Sequence, residues 1–311
     1  MAGTELPQRV RTYRHHHLDS TRWDSYRPRA GDVIISTSYK SGTTWMQRIM
    51  SLLVFGAAPL TEDLGALSPW IDLRVTPLDG VIAGIEAQEH QRFVKSHLPL
   101  DALPYYPDVR YIWVARDTRD VFMSIFNHYH SHTDEAYEMF ASGDPEGGPL
   151  PRCPEDPREF WAPWMTRASF PWERDGWPYW SHHYHAESFW PFRDLPNVLA
   201  VHYNDLTADL EGQMRRVAAF TGIDVPEDDW PSLVEGARFE SMKQEALEHD
   251  SSGRSMLPML WKGGAEAFFF KGTNGRWRDV LTSEDLTLYE QVVAPLDPAL
   301  RAWLENGSLS T

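Results

Sequence analysis

Only one cysteine, Cys153, occurs in 311 residues, so no internal disulfide can brace the fold. That usage suits a reducing compartment, and a cytoplasmic protein is expected. No run of about 18 apolar residues is present, so no helix is expected to span a membrane. Met1 to His17 is polar and lacks the apolar stretch of a secretory leader. Positive charge is scarce as well: 29 Lys and Arg against 45 Asp and Glu leave a net charge of −16 with histidines neutral. Broad nucleic-acid binding needs a basic face and is not expected. Any anionic ligand must therefore meet a local cluster of positive groups. Repeats, low-complexity tracts and Gly- or Ser-rich linkers are missing too, and 1–311 reads as a single domain. What the chain does have is an apolar fraction of 42 %, enough for a large core and too much for a disordered protein.

The apolar pattern changes period along the chain. Asp32-Val-Ile-Ile-Ser-Thr37, entered through Ala30-Gly31, reads as a buried strand. Residues 43–55 then place Trp45, Ile49, Leu52 and Leu53 on one face of an amphipathic helix. Arg110 to Ala115 is a second strand, and Asp117 can cap a helix running over 118–131. Val198 to Tyr203 is a third, followed by a helix over 207–221 with Leu210, Met214 and Val217 inward. Strand then helix, repeated, predicts an α/β fold with a mostly parallel central sheet and helices on both faces. Ligands in such folds bind beyond the carboxyl ends of the strands. Gly143 to Trp180 stands apart. It is rich in proline and tryptophan, has little periodicity, and reads as an ordered functional loop or lid.

The first strand ends in Ser38-Tyr39-Lys40-Ser41-Gly42-Thr43-Thr44-Trp45 and turns straight into a helix. Gly42 permits a tight turn, and the following amides converge on the positive end of the helix. Lys40 adds a mobile full charge, while Ser41, Thr43 and Thr44 offer hydroxyl donors. This is a P-loop-like anion site, but not the nucleotide-kinase loop. That loop, G-x-x-x-x-G-K-[ST], sets its lysine after the glycine, whereas Lys40 precedes Gly42 and the first glycine is missing.

Tyr39 to Trp45 resembles the 5′-phosphosulfate loop of the cytosolic sulfotransferases, usually YPKSGTTW, with Ser38 and Tyr39 in place of Tyr-Pro. Enzymes of that family move a sulfuryl group from 3′-phosphoadenosine 5′-phosphosulfate (PAPS) to a hydroxyl or amine. Further segments match in the family's order. Phe93 to Pro99 resembles the K-[ST]-H-L-P segment that carries the catalytic base, and Val114 to Ser124 resembles the 3′-phosphate segment V-x-R-x-x-x-D-x-x-x-S. Val201 to Leu206 is similar to the strand ending in Y-E-D, with Asn204 for the glutamate; Arg238 to Lys243 is similar to S-F-x-x-M-K. Phe270 to Trp277 resembles R-K-G-x-x-G-x-W, with Phe270 at the arginine position and Arg276 as the candidate replacement. The resemblance runs over about 30–295.

The resemblance implies a role for each matched residue. His97 is the general base, and Lys40 and Lys95 stabilise charge in the transition state. Ser124 restrains Lys40, and no metal is required. The nucleotide is implied to be held by Lys40, Ser41, Gly42, Thr43, Thr44, Trp45, Arg116, Ser124, Tyr203, Phe239, Lys271 and Gly272. Arg119 is assigned instead to a solvated helix face. The expected partner is a small, apolar acceptor bearing a phenol or alcohol hydroxyl, in a pocket bordered by Trp161, Trp164, Phe170, Trp172 and Trp177. That would make 143–180 a variable loop on the acceptor side. Oligomeric state is left open, because the family's K-x-x-x-T-V-x-x-x-E dimer motif is not recognisable at Arg278–Thr287.

Thirteen histidines raise a metal reading. His15-His16-His17 lies in the N-terminal tail, where adjacent side chains converge poorly on one ion, and His128 and His132 lack the Glu of H-E-x-x-H. A functional metal is not expected. Two other functions compete: a nucleotide-dependent kinase, disfavoured by the position of Lys40, and a non-catalytic nucleotide-binding module, disfavoured by His97 and Lys40.

Overall fold

The computed structural model describes residues 5–58 and 63–308. Four strands form one fully parallel sheet in the order β2-β1-β3-β4, with β1 Val33–Thr37, β2 Phe93–Ser96, β3 Arg110–Ala115 and β4 Val198–His202. β1 pairs with β2 through Val33 opposite Phe93, and with β3 through Val33 opposite Arg110. All five residues of β1 and of β4 are buried, as a parallel sheet covered on both faces requires. Successive side chains feed opposite layers. Ile34, Val94, Tyr111 and Trp113 enter one apolar cluster; Val33, Ile35, Phe93, Ile112 and Val114 enter the other.

The helix Thr43–Phe55 covers the second layer with Met46, Ile49, Met50, Leu52 and Leu53. The helix Thr118–His130 covers the first with Val121, Phe122, Ile125 and Phe126. Its N-cap is Asp117, whose side chain accepts from Arg119 N, as the sequence predicts. The predicted helix over 207–221 is broken in two, Tyr203–Ala208 and Leu210–Thr221, because the Asp209 side chain caps the second by accepting from Gly212 N. Tyr203 accordingly opens a helix rather than closing β4.

Two expectations need correcting here. Part of Gly143–Trp180 is a helix, Pro157–Thr166, started by the Asp156 cap and Pro157 at its first position. Phe160, Trp161, Trp164 and Met165 are buried on it, with Trp161 4.7 Å and Trp164 5.5 Å from Phe122 by ring centroids. Phe170 and Trp172 pack on Tyr13, at 4.3 and 5.3 Å. These rings build core because burying an indole is worth more there than at a cavity wall. His15, His16 and His17 are likewise not a free tail. All three are buried, and His17 stacks on Phe140 at 3.6 Å.

Burial holds His15, His16, His17, His132, His182 and His185 below the ordinary histidine value, with His16 and His132 at about 4. An unfolded chain takes protons on these rings below about pH 6.5, while the native state does so only at lower pH. Stability is therefore present above pH 6.5 and is lost as pH falls toward 4. Each buried ring contributes up to about 1.4 kcal/mol per pH unit. The melting temperature is expected to drop steeply between pH 6.5 and 4.5, measured by calorimetry; a flat profile across that window would contradict it.

Candidate active site

A cavity of about 400 Å³ opens beyond the carboxyl ends of the strands. It is lined by Lys40, Gly42, Thr43, Thr44 and Trp45 from the loop after β1, and by Lys95 and His97 from the end of β2. Arg116 and Ser124 follow β3, Tyr203 follows β4, and Phe239, Lys271 and Gly272 come from the C-terminal third. Of the residues expected to hold the nucleotide, Ser41 alone faces away. It is fully buried, and its Oγ lies 2.7 Å from Ser38 Oγ, bracing the loop from inside.

The loop geometry follows from two backbone positions. Lys40 sits at φ 64, and Gly42, at φ 117, is the N-cap of the helix Thr43–Phe55. A Cβ on Gly42 would lie 3.2 Å from the Tyr203 ring and 3.4 Å from Val114, so the turn needs glycine for space as well as for φ. Thr37 Oγ1 meets Thr43 Oγ1 at 2.5 Å, and Ser38 Oγ meets His182 Nδ1 at 2.5 Å, fixing the loop at both ends. The remaining helix amides open toward the cavity, an anion site by dipole and by donors.

His97 is buried just past β2, and its Nδ1 lies 2.9 Å from the Thr37 carbonyl oxygen. A carbonyl only accepts, so Nδ1 carries the proton and Nε2 keeps its lone pair. Burial pushes His97 well below the ordinary histidine value, with the nearby Lys95 adding to it. The ring is thus a neutral base at physiological pH. Lys95 Nζ lies 4.3 Å over the Trp70 ring, and burial lowers it to about 8 against the opposing pull of Asp72. Lys40 is lowered to about 7 by burial and by the cations Lys95 and Arg116.

Arg116 stacks over the Tyr203 ring at 4.0 Å and donates Nε and Nη2 to Asn274 Oδ1, at 3.0 and 2.5 Å. Asn274 in turn donates to Asn204 Oδ1 at 2.6 Å, the residue standing where the family has glutamate. Arg276 lines the same cavity with its Nε buried and without a hydrogen-bond partner among the described residues. Its guanidinium is lowered by burial and by Arg116, so the two cations share one space. Arg119 does not lie on a solvated face. It pairs with Asp117 at 2.5 Å and stacks over Trp277 at 4.2 Å, tying the C-terminal segment to the helix Thr118–His130.

Trp45 Nε1 donates to the Ala237 carbonyl at 2.8 Å, and the indole meets the Tyr203 ring edge-on at 5.1 Å on the cavity wall that Phe239 also lines. A second cavity, about 520 Å³, adjoins the first and shares Trp70, Lys95, Trp261, Phe268 and Phe269 with it. Leu64, Leu73, Val81, Met256 and Leu257 line its further part. None of Trp161, Trp164, Phe170, Trp172 and Trp177 lines either cavity. The aromatics that do, Trp70, Trp261 and Phe268, belong to no segment that the resemblance singles out, and no local signal in the sequence marks them.

A parallel α/β sheet with a lysine-bearing anion loop, a neutral histidine and further cations at its carboxyl edge is the arrangement of a group-transfer enzyme acting on an anionic nucleotide. The chain belongs to the sulfotransferase domain family, which it matches over residues 30–300, and it is a sulfotransferase. It is 32 % identical to a glycolipid sulfotransferase of Mycobacterium bovis across 95 % of this chain and 94 % of that protein. It is 27 % identical to rat sulfotransferase 1A1 across 81 % and 79 %. A retinol dehydratase solved with androsterone and the inactive cofactor PAP shares the fold, with a TM-score of 0.66, 23 % identity, and 88 % and 82 % coverage. No helix among the described residues is long and apolar enough to cross a membrane.

Gly272 closes the cavity on the C-terminal side at φ 64, and a Cβ there would come within 2.6 Å of the Phe239 ring. Gly253, at φ 69, has nothing within 4 Å of such an atom. Gly253→Ala should lose only the backbone penalty, about 1 kcal/mol, and Gly272→Ala clearly more. Equal losses in chemical denaturation would mean that Phe239 gives way freely.

Proposed function

We propose that the chain transfers a sulfuryl group from PAPS to the hydroxyl of an apolar or lipid-linked small molecule. The observation that carries this reading is the convergence of Lys40, Lys95, His97, Arg116 and Arg276 on one cavity of a protein with net charge −16. PAPS, when bound, supplies the sulfuryl group and accepts charge on its departing 5′-phosphate. The cavity fits it: the buried, unpartnered Arg276 Nε and the glycine cradles at Gly42 and Gly272 await an anion held close to the backbone. Lys40, Gly42, Thr43 and Thr44 hold the 5′ end. Arg116, Ser124, Lys271 and Arg276 hold the 3′-phosphate, with Arg276 supplying the guanidinium that Phe270 lacks. Trp45, Tyr203 and Phe239 take the adenine.

His97 Nε2 takes the acceptor's proton. Lys95, over the Trp70 face, steadies the equatorial oxygens of the migrating group, and Lys40 offsets charge on the departing side. The second cavity fits the acceptor's apolar body, in agreement with relatives named for glycolipids. The chain acts as one domain, and the free thiol of Cys153 agrees with a cytoplasmic setting. With one guanidinium fewer, Arg276→Ala should raise KM for PAPS about 10-fold or more, as loss of a charge-assisted hydrogen bond does. An unchanged KM would remove Arg276 from the site.

His97→Ala is the central test. General-base help is worth about 10²–10⁴ in rate. Turnover of an aliphatic alcohol with labelled PAPS should fall by that order while adenosine 3′,5′-bisphosphate still raises the melting temperature. A phenol of low pKa should suffer less. Near-wild-type turnover of the alcohol would place the base elsewhere.

A further inference from the structure

We propose that His128 is a positioning residue that holds Lys40 protonated and retracted between turnovers, with Tyr39 setting which imidazole nitrogen faces the lysine. The inference deepens the sulfuryl-transfer reading and rests on it. Lys40 lies at φ 64, a region unfavourable to residues with a Cβ, so the loop commits backbone strain to aim this side chain inward. There its Nζ meets the Phe268 ring at 4.7 Å and one hydrogen-bonding atom, His128 Nδ1, at 3.3 Å. Ser124, one turn earlier on the same helix, makes no hydrogen bond to it among the described residues. The other nitrogen of His128, Nε2, lies 2.7 Å from Tyr39 Oη. Two adjacent residues of the loop thus grip opposite nitrogens of one ring. The ring itself is buried and fixed against Trp261 at 4.8 Å and the Tyr39 ring at 5.0 Å.

The proton count follows from the groups present. An ammonium can only donate, so Nδ1 must accept while Lys40 is charged, and Nε2–H then donates to Tyr39 Oη. Imidazolium has no acceptor to offer, and burial together with Lys40 holds His128 neutral. The other ionisable groups facing the pair are Lys95 from β2, His97 after it, Arg116 after β3, His132 on the same helix and His17 from the N-terminal segment. Lys95 and Arg116 favour the neutral amine of Lys40, and the Nδ1 acceptor opposes them. A phosphate or sulfonate oxygen is a stronger acceptor than a neutral imidazole nitrogen, so an arriving anion draws the lysine off His128.

The test compares His128→Leu, which removes the acceptor, with His128→Gln, which returns one, and Tyr39→Phe, which frees the tautomer. The readout is the alkaline limb of kcat/KM for PAPS, alongside the melting shift produced by adenosine 3′,5′-bisphosphate. In the wild type the limb should lie near pH 7, where Lys40 titrates. His128→Leu should move it lower by about 1 pH unit, the equivalent of one charge-assisted hydrogen bond, and His128→Gln should restore it. A purely structural histidine would lower activity at every pH and leave the limb in place, and that result would overturn the proposal. If His128→Leu does not fold, Tyr39→Phe decides, since it deletes only a hydroxyl; an unmoved limb again overturns it. If the wild type turns over no PAPS and shows no bisphosphate shift, the sulfuryl-transfer reading itself falls and takes this inference with it.

Discussion

The structure is organised around positive charge held out of water. Lys40, Lys95, Arg116 and Arg276 line one cavity, and burial lowers the two lysines and Arg276 toward their neutral forms. Such a cluster is tolerable only where each cation finds an aromatic face or a neutral acceptor. Lys95 has Trp70, Arg116 has Tyr203 and Asn274, and Lys40 has Phe268 and His128. No carboxylate lines that cavity except Glu240. A carboxylate in direct contact would neutralise the cations and compete with the nucleotide they await. The acidic surface and the basic cleft are therefore compatible parts of one device, in which the field is focused where the anion must go.

Buried histidines supply the frame for that cleft. His182 holds Ser38, His183 Nε2 meets Thr118 Oγ1 at 3.0 Å, and His185 Nε2 meets Ser36 Oγ at 2.9 Å. Three rings on the helix His182–Phe189 thus brace β1, the loop after it and the start of the phosphate-side helix. For His182 and His185, which burial holds neutral, the imidazole offers one donor and one acceptor without adding charge to an already positive site. The same choice makes the fold acid-sensitive, since His182 and His185 must stay neutral in the native state.

The two cavities differ in character. The first is closed by backbone amides and cations and ends at His97, whereas the second is walled mainly by apolar side chains. They meet at Trp70 and Lys95, so under the proposed reading a hydroxyl carried on an apolar body would reach His97 without exposing the donor side to water. Excluding water at that junction matters, because hydrolysis is the competing reaction for any activated sulfuryl group.

Local sequence determined β1, β3 and β4, the helix after β1, the Asp117 cap and the anion loop, because periodicity, capping and turn chemistry act over a few residues. It also placed Lys40, Lys95, His97, Arg116, Tyr203, Phe239 and Lys271 at strand ends or in loops, and a parallel sheet must bring such positions together. Tertiary structure alone decided the rest. Whether Trp161 and Trp164 would line a pocket or fill a core depended on Phe122, about 40 residues away on another helix. Whether Lys40 would rest against Ser124 or His128 depended on how a left-handed residue aims its side chain. Those outcomes turn on packing and on which partner lies within about 3 Å, quantities that no spacing along the chain encodes.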